Sequence, residues 1–306
     1  MKVLITGGTG LVGVPLSKAL ASQGHEVAVL TRSGSPRSEG MPGISFVSGD
    51  PTRPGHWQKN AAEHDAVINL AGQSIFGRWS GDAKRRIWDS RILTTRSVAE
   101  ALRQKRDKAA ILLSASGVGY YGPRGDEEVD EGGSPGRDFL ALLSREWETE
   151  AKQAQEAGTR VVLCRFGVVL AASGGALNQM LPAFKVGLGS PLGSGQQWFP
   201  WIHVQDLVSA LLFLLNKQDL EGPVNLVAPQ PVRNRDFTRA LAKALRRPHV
   251  LPSVPGFMLK LAMGEFSTVL LTGQRAVPKK LLEAGYRFLH PTIEEALHNL
   301  LGKGRV

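Results

Sequence analysis

Residues 2–13 read Lys2-Val3-Leu4-Ile5-Thr6-Gly7-Gly8-Thr9-Gly10-Leu11-Val12-Gly13. Residues 2–6 have the length and apolarity of a buried strand. From residue 11 to 22, Leu11, Pro15, Leu16, Ala19 and Leu20 recur at helical spacing. Between them, Gly7, Gly10 and Gly13 follow a G-x-x-G-x-x-G pattern, and each has a physical job. Gly7 makes the tight turn, Gly10 lets the backbone approach a pyrophosphate, and Gly13 lets the helix pack closely. The free N–H groups at the helix start then attract phosphate. A glycine-rich turn without a ligand has the same composition. The position between a strand and a helix favours the nucleotide loop, with Gly7, Thr9, Gly10, Leu11 and Val12 lining it.

Outward from this loop, strand-length apolar runs at 27–31, 44–47, 66–70, 110–115, 160–165 and 223–227 alternate with amphipathic stretches at 80–103, 138–157 and 206–216. This alternation predicts an α/β fold: a Rossmann-like, doubly wound parallel sheet with helices on both faces. The second strand ends at Thr31-Arg32-Ser33. An acidic residue there bonds the ribose 2′-OH of NAD, whereas a guanidinium suits a 2′-phosphate, so Thr31 and Arg32 predict NADP(H). Asp50 follows the third strand and is placed to meet an adenine amino group. Leu70, Ala71 and Gly72 end the fourth strand, where the cofactor is expected to cross. Glycines punctuate 170–205, which reads as substrate-side loops. Beyond residue 229 the chain reads helical, at 236–247, 256–263, 277–283 and 292–301. The expected division is a cofactor domain over 1–228 and a smaller, mostly helical C-terminal substrate or cap domain over 229–306.

The chain has 306 residues and a formal charge of +10, from 37 Lys and Arg against 27 Asp and Glu. Residues 229–306 carry 13 basic and 5 acidic side chains, so most of the excess is C-terminal. That region has no interleaved aromatics, so no nucleic-acid partner is expected. Its charge is read as a solubility device or an electropositive rim for an anionic ligand. A single cysteine excludes a disulfide framework and a Cys-rich zinc site, and no metal is expected. No apolar run approaches a membrane span, and glycines interrupt the N-terminus too early for a signal peptide. A soluble cytoplasmic protein with no membrane partner is the expectation.

The chain resembles the extended short-chain dehydrogenase/reductases of the NAD-dependent epimerase family. Within them it resembles an atypical branch, the SulA-like or YfcH-type proteins with a small C-terminal domain. The stretches that carry this likeness are NLAGQSI (69–75), SRILTTR (90–96), SASGVGYYG (114–122), REWE (145–148), RFGVVL (165–170), PLGSGQQWFPWIHVQDL (191–207) and NLVAPQPV (225–232). The resemblance implies NADP binding, and a homodimer through the long helices. The superfamily's catalyst is a Ser or Thr with a Tyr-x-x-x-Lys pair. None of Tyr120, Tyr121 and Tyr286 has Lys four residues later, so that pair is absent.

Ser116 matches the superfamily serine, either bonding a substrate carbonyl or capping its strand. Tyr121 is a replacement acid or a packing aromatic, and Glu148 an acid or a salt-bridged helix residue. Arg91 either clamps a phosphate or is solvated, and Val169 lies where the family's backbone passes the nicotinamide carboxamide. Gln197, Trp198 and His203 are substrate-side candidates. Of these, Gln197 is read as facing the ligand and His203 has a structural alternative; Trp201 and Cys164 read as core. Two functions stay open: an NADP(H)-dependent oxidoreductase or epimerase on an unidentified small polar substrate, and a non-catalytic NADP(H)-binding regulatory or redox-sensing protein.

Overall fold

The computed structural model describes residues 1–32, 43–105, 110–249 and 251–302. Its main sheet has seven strands: β1 (Lys2–Thr6), β2 (Glu26–Thr31), β3 (Ile44–Ser48), β4 (Ala66–Asn69), β5 (Ile111–Gly117), β6 (Arg160–Phe166) and β7 (Gly222–Leu226). They pair in parallel in the order β7-β6-β5-β4-β1-β2-β3. The chain winds one way from β1 to β3 and the other way from β4 to β7. The strand order therefore reverses between β1 and β4, which opens a crevice at their carboxyl ends.

Helices cover both faces: α1 (Gly13–Ser22), α2 (Trp57–Glu63), α3 (Gly81–Arg103), α4 (Phe139–Lys152) and α6 (Val204–Asn216), while α5 (Gly175–Lys185) packs in a separate core with C-terminal residues. Successive strand residues point to opposite faces. Val3 and Ile5 of β1 meet Leu16 and Leu20 of α1 and Leu211 of α6, while Leu4 joins Trp57 of α2, Val98 of α3 and Ala151 of α4. Two buried layers thus explain why the strands are apolar without alternation. The long helices are capped locally. Ser80 Oγ accepts the Ala83 amide at the start of α3, and Asp138 Oδ1 accepts the Ala141 amide at the start of α4.

The glycine-rich stretch departs from the expected loop. It contains α5, whose Leu177, Leu181 and Phe184 are buried at helical spacing. It also contains two short strand pairings: Val168–Ala171 with Trp201–His203, and Trp198–Phe199 with Val232–Arg233. Glycine frequency hid a helix whose stability comes from tertiary burial.

The C-terminal part is helical as expected: α7 (Asn234–Ala244), α8 (Gly256–Met263), α9 (Ser267–Leu271), α10 (Lys279–Glu283) and α11 (Ile293–Leu301). α10 starts after Pro278, later than the sequence pattern implied. Phe237 of α7 and Leu297 of α11 share a core with Leu177 and Trp201, whereas Leu281 and Tyr286 enter the sheet's own core.

Candidate cofactor and substrate site

The crevice is built by contact between the ends of β1 and β4. Thr6 Oγ1 donates to Asn69 Oδ1 at 2.6 Å and accepts the Ala71 amide at 3.3 Å. Asn69 Nδ2 donates to Thr95 Oγ1 on α3 at 2.8 Å. Gly7 has φ of 70°, and a Cβ on it would lie 2.9 Å from the Leu70 carbonyl and the Ala71 nitrogen. A Cβ on Gly13 would lie 2.2 Å from Gly7 O, so the helix start presses on the loop itself. Gly8, which the G-x-x-G-x-x-G reading passes over, is equally constrained: its Cβ would sit 2.7 Å from Val29.

Thr9 and Gly10 form the exposed tip, and Gly10 N–H donates to Gly7 O at 3.0 Å. Val12 is the cap residue of α1. Leu11 reaches across to Gly174 and Gly175, where a Cβ on Gly175 would stand 2.8 Å from its side chain. That turn follows the short strand holding Val169, so the loop, the end of β4 and Val169 converge on one crevice. Exposed backbone at a helix start, with no room for a Cβ at Gly7, Gly8 or Gly13, fits a dinucleotide pyrophosphate.

Arg32 is exposed just beyond Thr31 at the end of β2, while Ser33 lies outside the described residues. Burial pushes the Asp50 carboxyl up, but the Thr52 hydroxyl and amide, with Arg53 and Arg32, outweigh it and hold Asp50 below the usual range.

Arg91 is brought to the crevice by α3. Its guanidinium lies 3.1–3.3 Å from where a Gly72 Cβ would be, and 5.3 Å from the Trp147 ring centroid. Nη1 donates to Ile87 O at 3.1 Å, and no carboxylate pairs with it among the described residues. Burial pushes its pKa down to about 10. A half-buried cation without a counter-charge beside Gly72 suits an anionic ligand.

Beneath the crevice lies a buried polar network. Ser116 Oγ donates to Glu148 Oε1 at 2.8 Å, and Arg165 grips the same carboxylate with Nε–Oε1 of 2.7 Å and Nη2–Oε2 of 2.8 Å. Arg165 Nη1 donates to Tyr121 Oη at 3.0 Å, and that hydroxyl donates to Asn225 Oδ1 at 2.7 Å. Glu131 accepts the Asn225 and Lys280 amides, which ties the network to the start of α10; burial pushes its carboxyl up. The expectation of Tyr121 as a replacement acid does not survive this placement. The ring is fully buried, and burial pushes the phenol up to about 12 despite Arg165 beside it. Glu148 is the salt-bridged residue of its two readings, although buried rather than solvated.

The substrate-side candidates serve largely as ties. Gln197 was expected to face a ligand, but its Nε2 donates to Leu192 O and Leu270 O, and its Oε1 is buried without a partner among the described residues. Trp198 carries Arg233 at 4.5 Å and Arg275 at 5.3 Å from its ring centroid, and its indole N–H donates to Asp126. Both cations occupy the ring as a stacking platform. His203 caps α6 by accepting the Gln205 amide at Nδ1, so its proton is on Nε2; burial pushes its pKa down to about 4. Trp201 and Cys164 are core residues, as expected. Arg165, Asn225 and Glu131 were not singled out from the sequence. For Arg165 and Asn225 the available signal was a charged or amide side chain inside otherwise apolar runs, Val161-Val162-Leu163-Cys164-Arg165 and Val224-Asn225-Leu226, whereas Glu131, in Val129-Asp130-Glu131-Gly132-Gly133, carries no such signal.

The model of the NAD dependent epimerase/dehydratase family matches residues 3–227, and that of a domain of unknown function, DUF1731, matches residues 254–300. An epimerase family protein of Mycobacterium tuberculosis, MT2273, is 43% identical, over 96% of each chain. A chloroplastic SDR39U1 homolog of Arabidopsis thaliana is 40% identical, over 98% of this chain and 87% of its own. The crystal structure of human epimerase family protein SDR39U1 (isoform 2) with NADPH superposes with a TM-score of 0.87 at 33% identity, covering 99% of this chain and 100% of that one.

Proposed function

The chain belongs to the NAD dependent epimerase/dehydratase family, and from that premise we propose that it binds NADP(H) in the β1/β4 crevice and acts as an oxidoreductase or epimerase on a small polar substrate. Within the family we assign it to the SulA-like branch on the motif stretches quoted above. The carrying observation is the contact of the glycine loop with the Leu70-Ala71-Gly72 segment that follows β4, with Arg32 just beyond the end of β2. The human relative solved with NADPH supports the choice of cofactor.

In this reading Gly7, Thr9, Gly10, Leu11 and Val12 present backbone to the pyrophosphate, Arg32 meets the 2′-phosphate, and Arg91 offers a cation beside Gly72. Bound NADP(H) supplies or accepts a hydride. The hydroxyl proton of Ser116 is committed to Glu148, so its oxygen is left as an acceptor. That favours a substrate hydroxyl as its partner over the carbonyl expected from the sequence. Glu148, clamped by Arg165, positions Ser116, and Tyr121 stays outside the chemistry.

A second reading, a non-catalytic NADP(H)-binding regulator or redox sensor, is favoured by one observation. α4 (Phe139–Lys152) contains no tyrosine, and none of Tyr120, Tyr121 and Tyr286 has a lysine four residues later. Titration with NADPH and NADH separates the cofactor claim from the catalytic one. Arg32→Asp is expected to weaken NADPH about tenfold or more while leaving NADH nearly unchanged; equal losses refute the 2′-phosphate contact. Turnover of NADPH with a carbonyl panel, or of NADP⁺ with an alcohol panel, slowed by Ser116→Ala, supports the enzyme. Tight binding without turnover supports the sensor.

A further inference from the structure

We propose that α8 and the loop following α5 form a docking surface for an anionic lipid bilayer. α8 reads Gly-Phe-Met-Leu-Lys-Leu-Ala-Met and buries none of its residues. Phe257 is 72% exposed, Leu261 79% and Met258 51%, and their spacing puts them on one face of the helix. Val186 and Leu188, also exposed, extend this surface from the end of α5. The two segments are joined. The Gly193 amide donates to Val254 O and the Val254 amide to Pro191 O, both at 2.8 Å, and Gly187 lies against Pro248.

The charge on this surface has one sign. No Asp or Glu occurs between Asp236 and Glu265, or between Glu156 and Asp206. Within those stretches Lys185, Arg246, Arg247 and Lys260 are exposed. The next acid along the chain after α8, Glu265, is paired with Lys84 of α3 at 2.6 Å, which pins the far end of α8 to the body of the protein. Exposed Phe, Met and Leu beside Lys and Arg, with no carboxylate, match the interface of an anionic bilayer, where rings and alkyl chains enter the headgroup region and cations meet phosphate. A second copy of the chain fits poorly, because a two-fold interface brings the same patch against itself and opposes cation to cation. This proposal departs from the sequence expectation of no membrane partner, which rested on the absence of an apolar run long enough to span. No described helix is long and apolar enough to cross a membrane, and lying on a surface requires none.

The test is sedimentation of the full chain with vesicles of phosphatidylglycerol and phosphatidylcholine in equal parts, against vesicles of phosphatidylcholine alone. The protein is expected to pellet with the anionic vesicles at ~0.1 M salt, to remain free with the neutral ones, and to be released by ~0.5 M salt. Phe257→Ser with Leu261→Ser, and separately Arg247→Glu with Lys260→Glu, are each expected to reduce partitioning about tenfold or more. Unchanged thermal unfolding by circular dichroism shows that these exposed-site variants are folded. Three outcomes overturn the proposal: wild-type protein left in the supernatant with anionic vesicles at low salt, folded variants that partition as the wild type does, or vesicle-free self-association abolished by Phe257→Ser with Leu261→Ser and no vesicle binding.

Discussion

Glu148 and Arg165 form a bidentate ion pair directly beneath Ser116, with both side chains at most 4% exposed. α4 supplies one partner and β6 the other, so the pair locks the helix onto the sheet. Removing one member leaves a buried charge alone. Glu148→Leu is expected to cost ~3–5 kcal/mol of stability, as is Arg165→Met, while the double variant Glu148→Leu with Arg165→Met recovers much of that loss. Urea denaturation of the four proteins as a double-mutant cycle measures the coupling. Additive costs would mean that the two residues act independently.

The glycine loop separates folding from binding. Gly13→Ala forces a Cβ to within 2.2 Å of Gly7 O, whereas Gly10→Ala meets the same oxygen at 3.2 Å and is otherwise open. Gly13→Ala is therefore expected to lose ~1–3 kcal/mol of stability. Gly10→Ala should keep nearly wild-type stability and lose NADPH affinity about tenfold or more, because its methyl group occupies the pyrophosphate's approach. Thermal melting and a fluorescence titration of NADPH, run side by side, distinguish the two.

His203 makes stability depend on pH. Burial, with His290 at 4.0 Å between ring centroids, holds its pKa near 4 in the folded chain. The unfolded chain binds that proton near its ordinary value of 6.5. Below pH 6.5 the unfolded state is therefore the more protonated, and stability falls as pH drops through the window from about 6.5 to about 4. The full effect is on the order of 3 kcal/mol. Asp206 contributes with the opposite sign at lower pH, since burial pushes its carboxyl up. Denaturant midpoints measured across this window should fall for the wild type and fall less for His203→Asn, which keeps a capping side chain.

Arg91 trades stability against ligand binding. Its guanidinium is desolvated without a carboxylate partner among the described residues, so Arg91→Met is expected to leave the melting temperature unchanged or raise it. The same change should weaken NADPH, or an anionic substrate, about tenfold. A lower melting temperature with unchanged affinity would assign Arg91 to packing.

The sequence by itself determined the doubly wound sheet and the location of the crevice. Buried parallel strands must be apolar throughout, and a turn as tight as Gly7's requires glycine, so both leave a local record. It also identified the absence of the Tyr-x-x-x-Lys pair, which is a matter of spacing alone. Only the tertiary structure decided what the remaining polar residues do. Ser116, Tyr121, Glu148, Arg165 and Asn225 lie as far as 109 positions apart in the chain, yet β5, α4, β6 and β7 bring them into one hydrogen-bonded network. The same holds for α5 and for Gln197 and Trp198, whose roles depend on which distant segment packs against them. Local composition records backbone conformation and burial; it carries no record of which partner a polar group meets, because sheet topology and helix packing choose that partner.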